Sequence, residues 1–439
     1  MSSEIQVVGE NNGDQLPPIS APSEVDNEEN EHHLAPTATP TLLTDGAPEV
    51  VERAGKSNFF MSVINMSAIL MGLGQLSTPY ALEKGGWASS FLLVAFGVMC
   101  AYTSHLLGRY IGGSAFGPRG KIITTVFIYL EVFMALVSFT IAINDNIGTL
   151  LHGKHENISW KHHLSFSQIL TILAVVISST TLWIPDLSRF SPVSLVGIIC
   201  SFVIFIGVVS AAIFGDIKAD KPIPVLRLQN IPAISGLYIF SLSTHVVFPD
   251  IYRSMKDPSR FSKVSALSFT IVTAFYTAIA FLGARLYGST LHSQITLNLP
   301  RHLITTPIAL GATVLAPITK YGFALVPLAS LYVHRLPSTA SPRKRLIIRG
   351  SIGTVLLMLI CVLALTVPYF EQVLGLTGSF VSMAVAIIFP CAFYTKLFWA
   401  QISRRQLILN AFIIVIAFVI GGFGTVSSSQ SLVSQIRKK

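Results

Sequence analysis

Long apolar runs separated by short polar segments make up almost all of the chain after residue 55. A window of about nineteen residues, the length of helix that crosses a bilayer, finds about eleven candidate spans. They lie near residues 59–83, 88–111, 123–150, 168–185, 191–214, 231–250, 264–287, 303–333, 347–369, 374–396 and 407–427. Segments rich in turn formers and charges, such as GGSAFGPRGK and RSMKDPSRFSK, separate these runs. The pattern predicts an all-α polytopic membrane protein whose overlong eighth run includes an interfacial segment.

The start of the chain has a different composition. Residues 1–55 contain the acidic stretch SEVDNEENEHH, several prolines and few large apolar residues. Such a segment cannot bury enough apolar surface to offset its chain entropy, so we predict a disordered acidic cytosolic tail, followed by a transmembrane domain over residues 56–439. The tail has no basic region followed by an apolar core, which indicates that the first span directs insertion. It either carries sorting or degradation signals or is a plain solvated tail.

Composition supports a membrane protein. Of the 439 residues, 51% are hydrophobic and only 12% are charged, which is too apolar for a soluble domain. The basic residues behind the formal net charge of +9 lie in short loops, a distribution that sets membrane orientation and argues against nucleic-acid binding. All four cysteines lie inside apolar runs without metal-ligand spacing. We therefore predict no metal site, and no motif indicates a cofactor.

The distribution of Lys and Arg predicts which side each loop faces. With the N-terminal tail in the cytosol, the cytosolic loops hold sixteen basic residues and the opposite side holds eleven. The sequon Asn157-Ile158-Ser159 then falls on the non-cytosolic side, so Asn157 is a glycosylation candidate. Both observations favour a cytosolic N-terminus.

The first span is interrupted. The stretch SAILMGLGQLSTPYALEKGGW begins as an apolar helix and then carries Gly72, Gly74 and Pro79 where that helix would continue. Unpaired backbone groups are costly in hydrocarbon, so irregular backbone persists at membrane depth only beside a cavity or a bound solute. We therefore predict a site at residues 72–75, and a half-helix that begins near Ser77 and directs its positive end at an anion such as a carboxylate. The alternative is close packing of small residues against a neighbouring helix.

A second interruption occurs five spans later. The sixth span reads SGLYIFSLSTHVVFPDIYRSM, with polar residues at mid-span and Pro249 after them. Two interrupted helices at corresponding positions of two five-helix halves indicate a transport site at the interface of an inverted repeat. The pair favours a site over helix packing alone.

Six segments resemble those of one known family. They are MGLGQLSTPYALEKGGW, HVVFPDIYRSMKDPSRF, SQITLNLP, PITKYGFALVPLA, VPYFEQVLGLTGSF and GTVSSSQSLV. In order and spacing they resemble the amino acid/auxin permease family of the APC superfamily, specifically its Avt-type vacuolar amino-acid transporters, whose animal relative is the vesicular inhibitory amino-acid transporter. The resemblance extends from Lys56 to the end of the chain. It implies an eleven-span fold with the five-plus-five inverted repeat of the bacterial leucine transporter, and proton-coupled movement of neutral amino acids across the vacuolar membrane.

The resemblance also implies where the substrate binds. Backbone groups of the first break would hold the substrate carboxylate and amine, and the middle of the sixth span would complete the pocket. The residues concerned are Gly72, Leu73, Gly74 and Gln75 in the first span and Ser241, Ser243, Thr244 and His245 in the sixth. This chain departs from the family, which usually has Asn at the position of Ala68, Gly at that of Thr244 and, in the Avt branch, Asn at that of Ala316. Two amides are lost and Thr244 adds bulk, so we expect an altered substrate preference.

Ionisable groups inside spans are candidates for ion coupling, because burying them is costly. Glu131, in the first half of the third span, resembles a Glu that the family keeps; it is either proton-linked or a carboxylate satisfied by neighbouring helices. Lys320, beside Thr319 in the eighth span, either places its ammonium group where sodium sits in sodium-coupled relatives or forms a plain ion pair or carbonyl contact. His245 is either a titrating switch or a neutral hydrogen-bonding wall residue.

Enzyme motifs do not accompany these features. The chain has no P-loop, no H-E-x-x-H and no G-x-S-x-G, and the polar groups of its spans do not form a nucleophile and base pair. A channel would need a ring of like residues, which no repeat motif supplies. We therefore predict a non-enzymatic, proton-coupled transporter of neutral amino acids in the membrane of the vacuole or another acidic organelle. A non-transporting amino-acid receptor on the same fold and a plasma-membrane permease are the alternatives.

Overall fold

The structure, a computed structural model, describes residues 55, 57–109, 117–151, 165–183, 191–217, 222–330, 333, 337 and 341–438. Within these ranges every regular element is a helix, apart from one isolated parallel bridge between Ser57 and Met255. The predicted acidic tail lies outside the described residues except for Gly55, and the sequon at Asn157 lies outside them as well.

Helical segments follow one another at all the predicted positions, and we number them spans 1 to 11. Span 1 consists of Phe59–Leu70 and Gly74–Gly85, and span 6 consists of Ile231–Leu242, the 3-10 turn His245–Val247 and Phe248–Ser254. The remaining α-helices, in chain order, are Ser89–Arg109, Gly117–Leu151, Phe166–Ser179, Ser191–Phe214, Phe261–Tyr287, Thr305–Ser330, Pro342–Thr366 and Arg404–Arg437 for spans 2, 3, 4, 5, 7, 8, 9 and 11. Span 10 runs from Phe370–Thr377 through the π-helical turns Gly378–Ser382 and Ala384–Ile388 to Phe389–Leu397.

Most of these segments are long enough to cross a membrane. In the described part of the chain, nine helices are sufficiently long and apolar, and the bent pair in span 1 makes a tenth. Span 4 is shorter than the predicted stretch 168–185, since its α-helix has only 14 residues and then becomes a 3-10 turn. The hydroxyl groups of Ser179 and Thr180 each donate to a carbonyl three residues earlier at 2.7 Å, which competes with α-helical bonding there.

Polar residues at the entrances of several spans start their helices. In each case a Ser or Asn side chain accepts a hydrogen bond from the backbone N–H three residues later, which satisfies one of the free donors of the first turn. These caps are Asn58, Ser165, Ser341 and Ser403, for spans 1, 4, 9 and 11.

Burial separates central from peripheral spans. The apolar windows of spans 10 and 6 are 78% and 56% buried by other parts of the protein, whereas those of spans 9 and 11 are 22% and 28% buried. The second helix of span 1 is also almost completely buried. The two interrupted spans therefore lie inside the bundle, while spans 9 and 11 present their apolar side chains outward, as lipid contact requires.

Candidate functional site

Span 1 breaks over residues 71–73, where its two helices meet at 58°. The predicted break is confirmed, but helical bonding resumes at once, because the Leu76 N–H reaches the Leu73 carbonyl at 3.0 Å. The second helix therefore begins at Gly74 and not near Ser77 as predicted. Its first N–H groups, which lack intrahelical partners, point into the break.

Tyr276 of span 7 bridges this break. Its hydroxyl group donates to the Leu70 carbonyl at 2.7 Å and accepts from the Gly72 N–H at 3.1 Å. The side chain is completely buried. One hydroxyl group thus satisfies a carbonyl and an amide that lose their helical partners where the chain unwinds.

Lys320 of span 8 contacts the same break from another side. Its ammonium group donates to the Ala68 carbonyl at 3.1 Å and to the Met71 carbonyl. Both carbonyls belong to the C-terminal end of the first helix, where the helix dipole and free carbonyls favour a cation. Lys320 forms no ion pair with a carboxylate among the described residues. Its observed interaction is therefore the carbonyl contact.

A cavity lies beside the break. Residues of spans 1, 3, 5 and 8 form its walls: Met71, Gly72, Leu73, Gln75, Leu76, Phe139, Ser201, Ile204, Thr313, Ala316, Pro317 and Lys320. The walls are mostly apolar, with a few polar groups placed among them. That composition is typical of a site for a small molecule.

Gln75 contributes a buried amide to this cavity. Its side-chain nitrogen Nε2 lies 3.3 Å from Ser201 Oγ, and the Ser201 hydroxyl donates to the Gly197 carbonyl at 3.0 Å. Because the Ser201 proton is used on Gly197, Ser201 Oγ accepts from Gln75, which fixes the orientation of the amide. Gln75 is only 2% exposed, and its Oε1 atom has no hydrogen-bond partner in the described part of the chain.

Span 6 breaks at Ser243 and Thr244, as predicted. The Ser243 hydroxyl donates to Oε1 of Glu131 in span 3 at 2.5 Å, and Ser382 of span 10 lies beside the same carboxylate. Glu131 is buried, and its Oε2 atom has no hydrogen-bond partner within the described ranges. The structure therefore places the membrane-embedded carboxylate directly against the second break.

The two interrupted spans touch at Gly74 and Ser241. A Cβ atom at position 74 would lie 2.7 Å from Ser241 Oγ and 2.9 Å from Ser241 Cα, which only glycine avoids. The Ser241 hydroxyl donates to the Leu237 carbonyl of its own helix at 2.7 Å. Ser241 thus forms part of the contact between the spans and does not line the cavity beside the first break.

The other predicted residues lie in different places. His245 pairs through Nε2 with Thr103 Oγ1 of span 2 at 3.0 Å, and its ring packs on Phe248 at a centroid distance of 4.8 Å. His245 is therefore a buried, hydrogen-bonded residue in this structure. Thr319 donates to the Ala316 carbonyl of its own helix at 2.7 Å and is not among the cavity residues.

Of the predicted substrate residues, three line the cavity and none of these comes from span 6. The three are Gly72, Leu73 and Gln75, while Ser243 and Thr244 lie at the second break. Sequence reasoning missed Tyr276 and Ser201, because a lone hydroxyl group in an apolar run looks like any other packed residue. No local sequence pattern shows that Tyr276 contacts backbone groups of the first break, or that Ser201 contacts the Gln75 amide.

The described residues contain no group of three or more His, Cys, Asp and Glu side chains that could hold a metal ion.

Comparison with known proteins yields one family. Residues 55–434 match the family described as transmembrane amino acid transporter protein. The chain is 49% identical over 400 residues to amino acid transporter AVT1H of Arabidopsis thaliana, covering 88% of this chain and 93% of the relative. It is 22% identical over 411 residues to the vesicular inhibitory amino acid transporter of Xenopus laevis, covering 84% of this chain and 76% of the relative. A crystal structure of MhsT in complex with L-phenylalanine aligns with a TM-score of 0.49 and 13% identity, over 84% of this chain and 98% of that one.

Proposed function

The chain belongs to the transmembrane amino acid transporter family, and from this premise we propose that it is a secondary active transporter of neutral amino acids, driven by a proton gradient across the membrane of the vacuole or another acidic organelle. Family membership makes it a multi-pass membrane transporter and not an enzyme, as predicted. The observation that carries the proposal is the contact of the two interrupted spans, at Gly74 and Ser241 next to their breaks, inside the bundle.

An amino acid suits the chemistry of the first break. The second helix of span 1 directs its N-terminal N–H groups toward the break, and these favour a carboxylate. The cavity next to them is mostly apolar, and none of the described residues that line it is acidic. A cationic side chain would find no counter-charge there and would lie near Lys320, so the walls disfavour a basic amino acid.

Glu131 is the residue that we propose for proton coupling. Its carboxylate is buried, and one of its oxygens accepts from Ser243 at the break of span 6. A carboxylate that leaves water needs hydrogen-bond donors in place of the lost water, so the charge of Glu131 and the position of the Ser243 hydroxyl are linked. Binding or loss of a proton at Glu131 would therefore alter the second break, which is the coupling that a proton-driven carrier needs.

Lys320 supports a transporter that does not need sodium. A sodium ion at the end of the first helix would be coordinated by backbone carbonyls such as those of Ala68 and Met71. The Lys320 ammonium group already occupies this position with its own positive charge. A second cation there would be repelled at close range.

The membrane and the orientation rest on the sequence. The segments that resemble Avt-type vacuolar transporters favour an acidic organelle, and the excess of basic residues in alternate loops favours a cytosolic N-terminus. In this orientation the first helix of span 1 lies on the cytosolic side of the break and the second helix lies on the lumenal side.

Uptake into proteoliposomes tests the proposal. The purified protein is reconstituted, a pH gradient is imposed in either direction without sodium, and a panel of radiolabelled amino acids is offered. We expect a neutral amino acid to accumulate only when the gradient is present, and to exchange in counterflow without it. Binding of amino acids without accumulation or counterflow would contradict transport and identify a receptor.

A further inference from the structure

Three carbonyl groups at the first break are already engaged by the protein. Ala68 and Met71 accept from the Lys320 ammonium group, and Leu70 accepts from the Tyr276 hydroxyl. The α-ammonium group of an amino acid needs hydrogen-bond acceptors when it leaves water. It would lie next to the positive charge of Lys320 if it used the Ala68 and Met71 carbonyls, and the two cations would repel each other. These carbonyls are therefore unfavourable acceptors for the substrate ammonium group.

Gln75 offers another acceptor. Its amide nitrogen is held by Ser201, which is itself fixed on the Gly197 carbonyl, so Oε1 points away from that pair. The Oε1 atom is buried and unpaired in the described part of the chain. Buried polar atoms in native proteins nearly always have a hydrogen-bond partner. We therefore expect this oxygen to accept a hydrogen bond from a solute or from water.

Two residues in the cavity wall carry polar groups of opposite character. Lys320 uses two of its three N–H donors on backbone carbonyls, which leaves one for an occupant, and its charge favours an anion. Gln75 Oε1 favours a donor. Leu76, Phe139 and Ile204 supply apolar walls between spans 1, 3 and 5. Both an anionic and a donating group are thus expected in one occupant, as in a zwitterion.

We propose that Gln75 Oε1 accepts a hydrogen bond from the α-ammonium group of the substrate, while the substrate carboxylate faces Lys320 and the first N–H groups of the second helix of span 1. Ser201 is the positioning residue that holds the Gln75 amide. The inference rests on the proposed function and specifies how that site recognises an amino acid. According to this proposal, Gln75 binds the amino group of the substrate and not its side chain.

The test compares an amino acid with its deamino analogue, the same carboxylic acid without the amino group. The amino acid that the wild type takes up best supplies the radiolabel, and inhibition constants of both compounds are measured in proteoliposomes. Gln75→Met keeps the side-chain length and removes the acceptor. Gln372→Met is the matched control, because Gln372 is also a buried amide with an unpaired Oε1 atom but lies in span 10 outside this cavity.

In Gln75→Met we expect the preference for the amino acid over its deamino analogue to fall about tenfold, since a hydrogen bond to a charged group is lost. Ser201→Ala should lower it by about threefold, because the amide is then free to rotate. Gln372→Met should retain the wild-type preference.

An unchanged preference in Gln75→Met, with both compounds weakened equally or not at all, would overturn the inference. If Gln75→Met does not give a monodisperse protein, Ser201→Ala answers the same question, and a wild-type preference there overturns the proposal. Failure of the wild type to take up any amino acid is a different result, because it contradicts the proposed function itself.

Discussion

The ammonium group of Lys320 lies 3.1 Å from the backbone carbonyl oxygen of Ala68. The two residues are 252 positions apart in the chain, and the contact joins span 8 to the end of the first helix of span 1. A side-chain cation thus lies against the carbonyls at the unwound end of this helix. The contact links the position of span 8 to the shape of the break.

Replacing Lys320 tests this contact. Lys320→Met should lower the free energy of unfolding by about 1.5–3 kcal/mol, because carbonyls that accepted from a charged donor lose their partner. Uptake by the wild type should be the same in sodium and in choline buffer, whereas Lys320→Met should lose uptake. Thermal unfolding in detergent and uptake in the two buffers measure these effects. Lys263→Met, at an exposed lysine, is the control, and sodium-stimulated uptake by the wild type would contradict the prediction.

Tyr276 offers a second test with a matched partner. Tyr276→Phe should destabilise the protein by about 1–3 kcal/mol, because both the Leu70 carbonyl and the Gly72 N–H lose their partner. Tyr287→Phe should change stability by less than about 0.5 kcal/mol, because the buried Tyr287 hydroxyl has no hydrogen-bond partner in the described ranges. Thermal unfolding and uptake of both variants are compared. Equal effects of the two substitutions would show that Tyr276 does not hold the break.

The role of Glu131 predicts a separation of exchange from accumulation. Gln at this position can still accept from Ser243 but cannot lose a proton, so Glu131→Gln should retain counterflow and lose accumulation driven by a pH gradient. Asp257→Asn, in the exposed loop between spans 6 and 7, should leave both unchanged. Uptake is measured over a range of external pH values. A wild-type pH dependence in Glu131→Gln would exclude this carboxylate as the coupling group.

The two glycines of the first break should respond differently to a methyl group. Gly74→Ala places Cβ against Ser241 and should destabilise the protein by about 1–3 kcal/mol while abolishing uptake. In Gly72→Ala the added Cβ would meet, among the described residues, just Lys320 Nζ at 3.9 Å, and the substitution should be tolerated. The double variant Gly74→Ala, Ser241→Gly should recover part of the loss, because the Ser241 side chain is removed. Unfolding temperatures and uptake rates of the three variants test this prediction. Equal losses of stability and uptake in Gly72→Ala and Gly74→Ala would contradict it.

The sequence alone determined the class of fold and the places where the helices break. Apolar runs of the length of a bilayer, interrupted by Gly72, Gly74 and the polar centre of the sixth span, are local patterns, and local patterns suffice to predict spans and their interruptions. The sequence also identified Glu131 and Lys320 as candidates for ion coupling, because a charged residue in an apolar run can be recognised from the sequence alone. The bounds were less accurate where hydroxyl groups end a helix early, as in span 4.

Only the tertiary structure decided what each polar group contacts. The partners of Lys320, Glu131 and Gln75 come from spans that lie 112 to 252 residues away. No spacing rule specifies such pairs, since they depend on how the helices pack against one another and on which side chain faces each unwound backbone group. For the same physical reason Tyr276 and Ser201 could be recognised only in three dimensions, as the residues that complete the hydrogen bonds left open by the break.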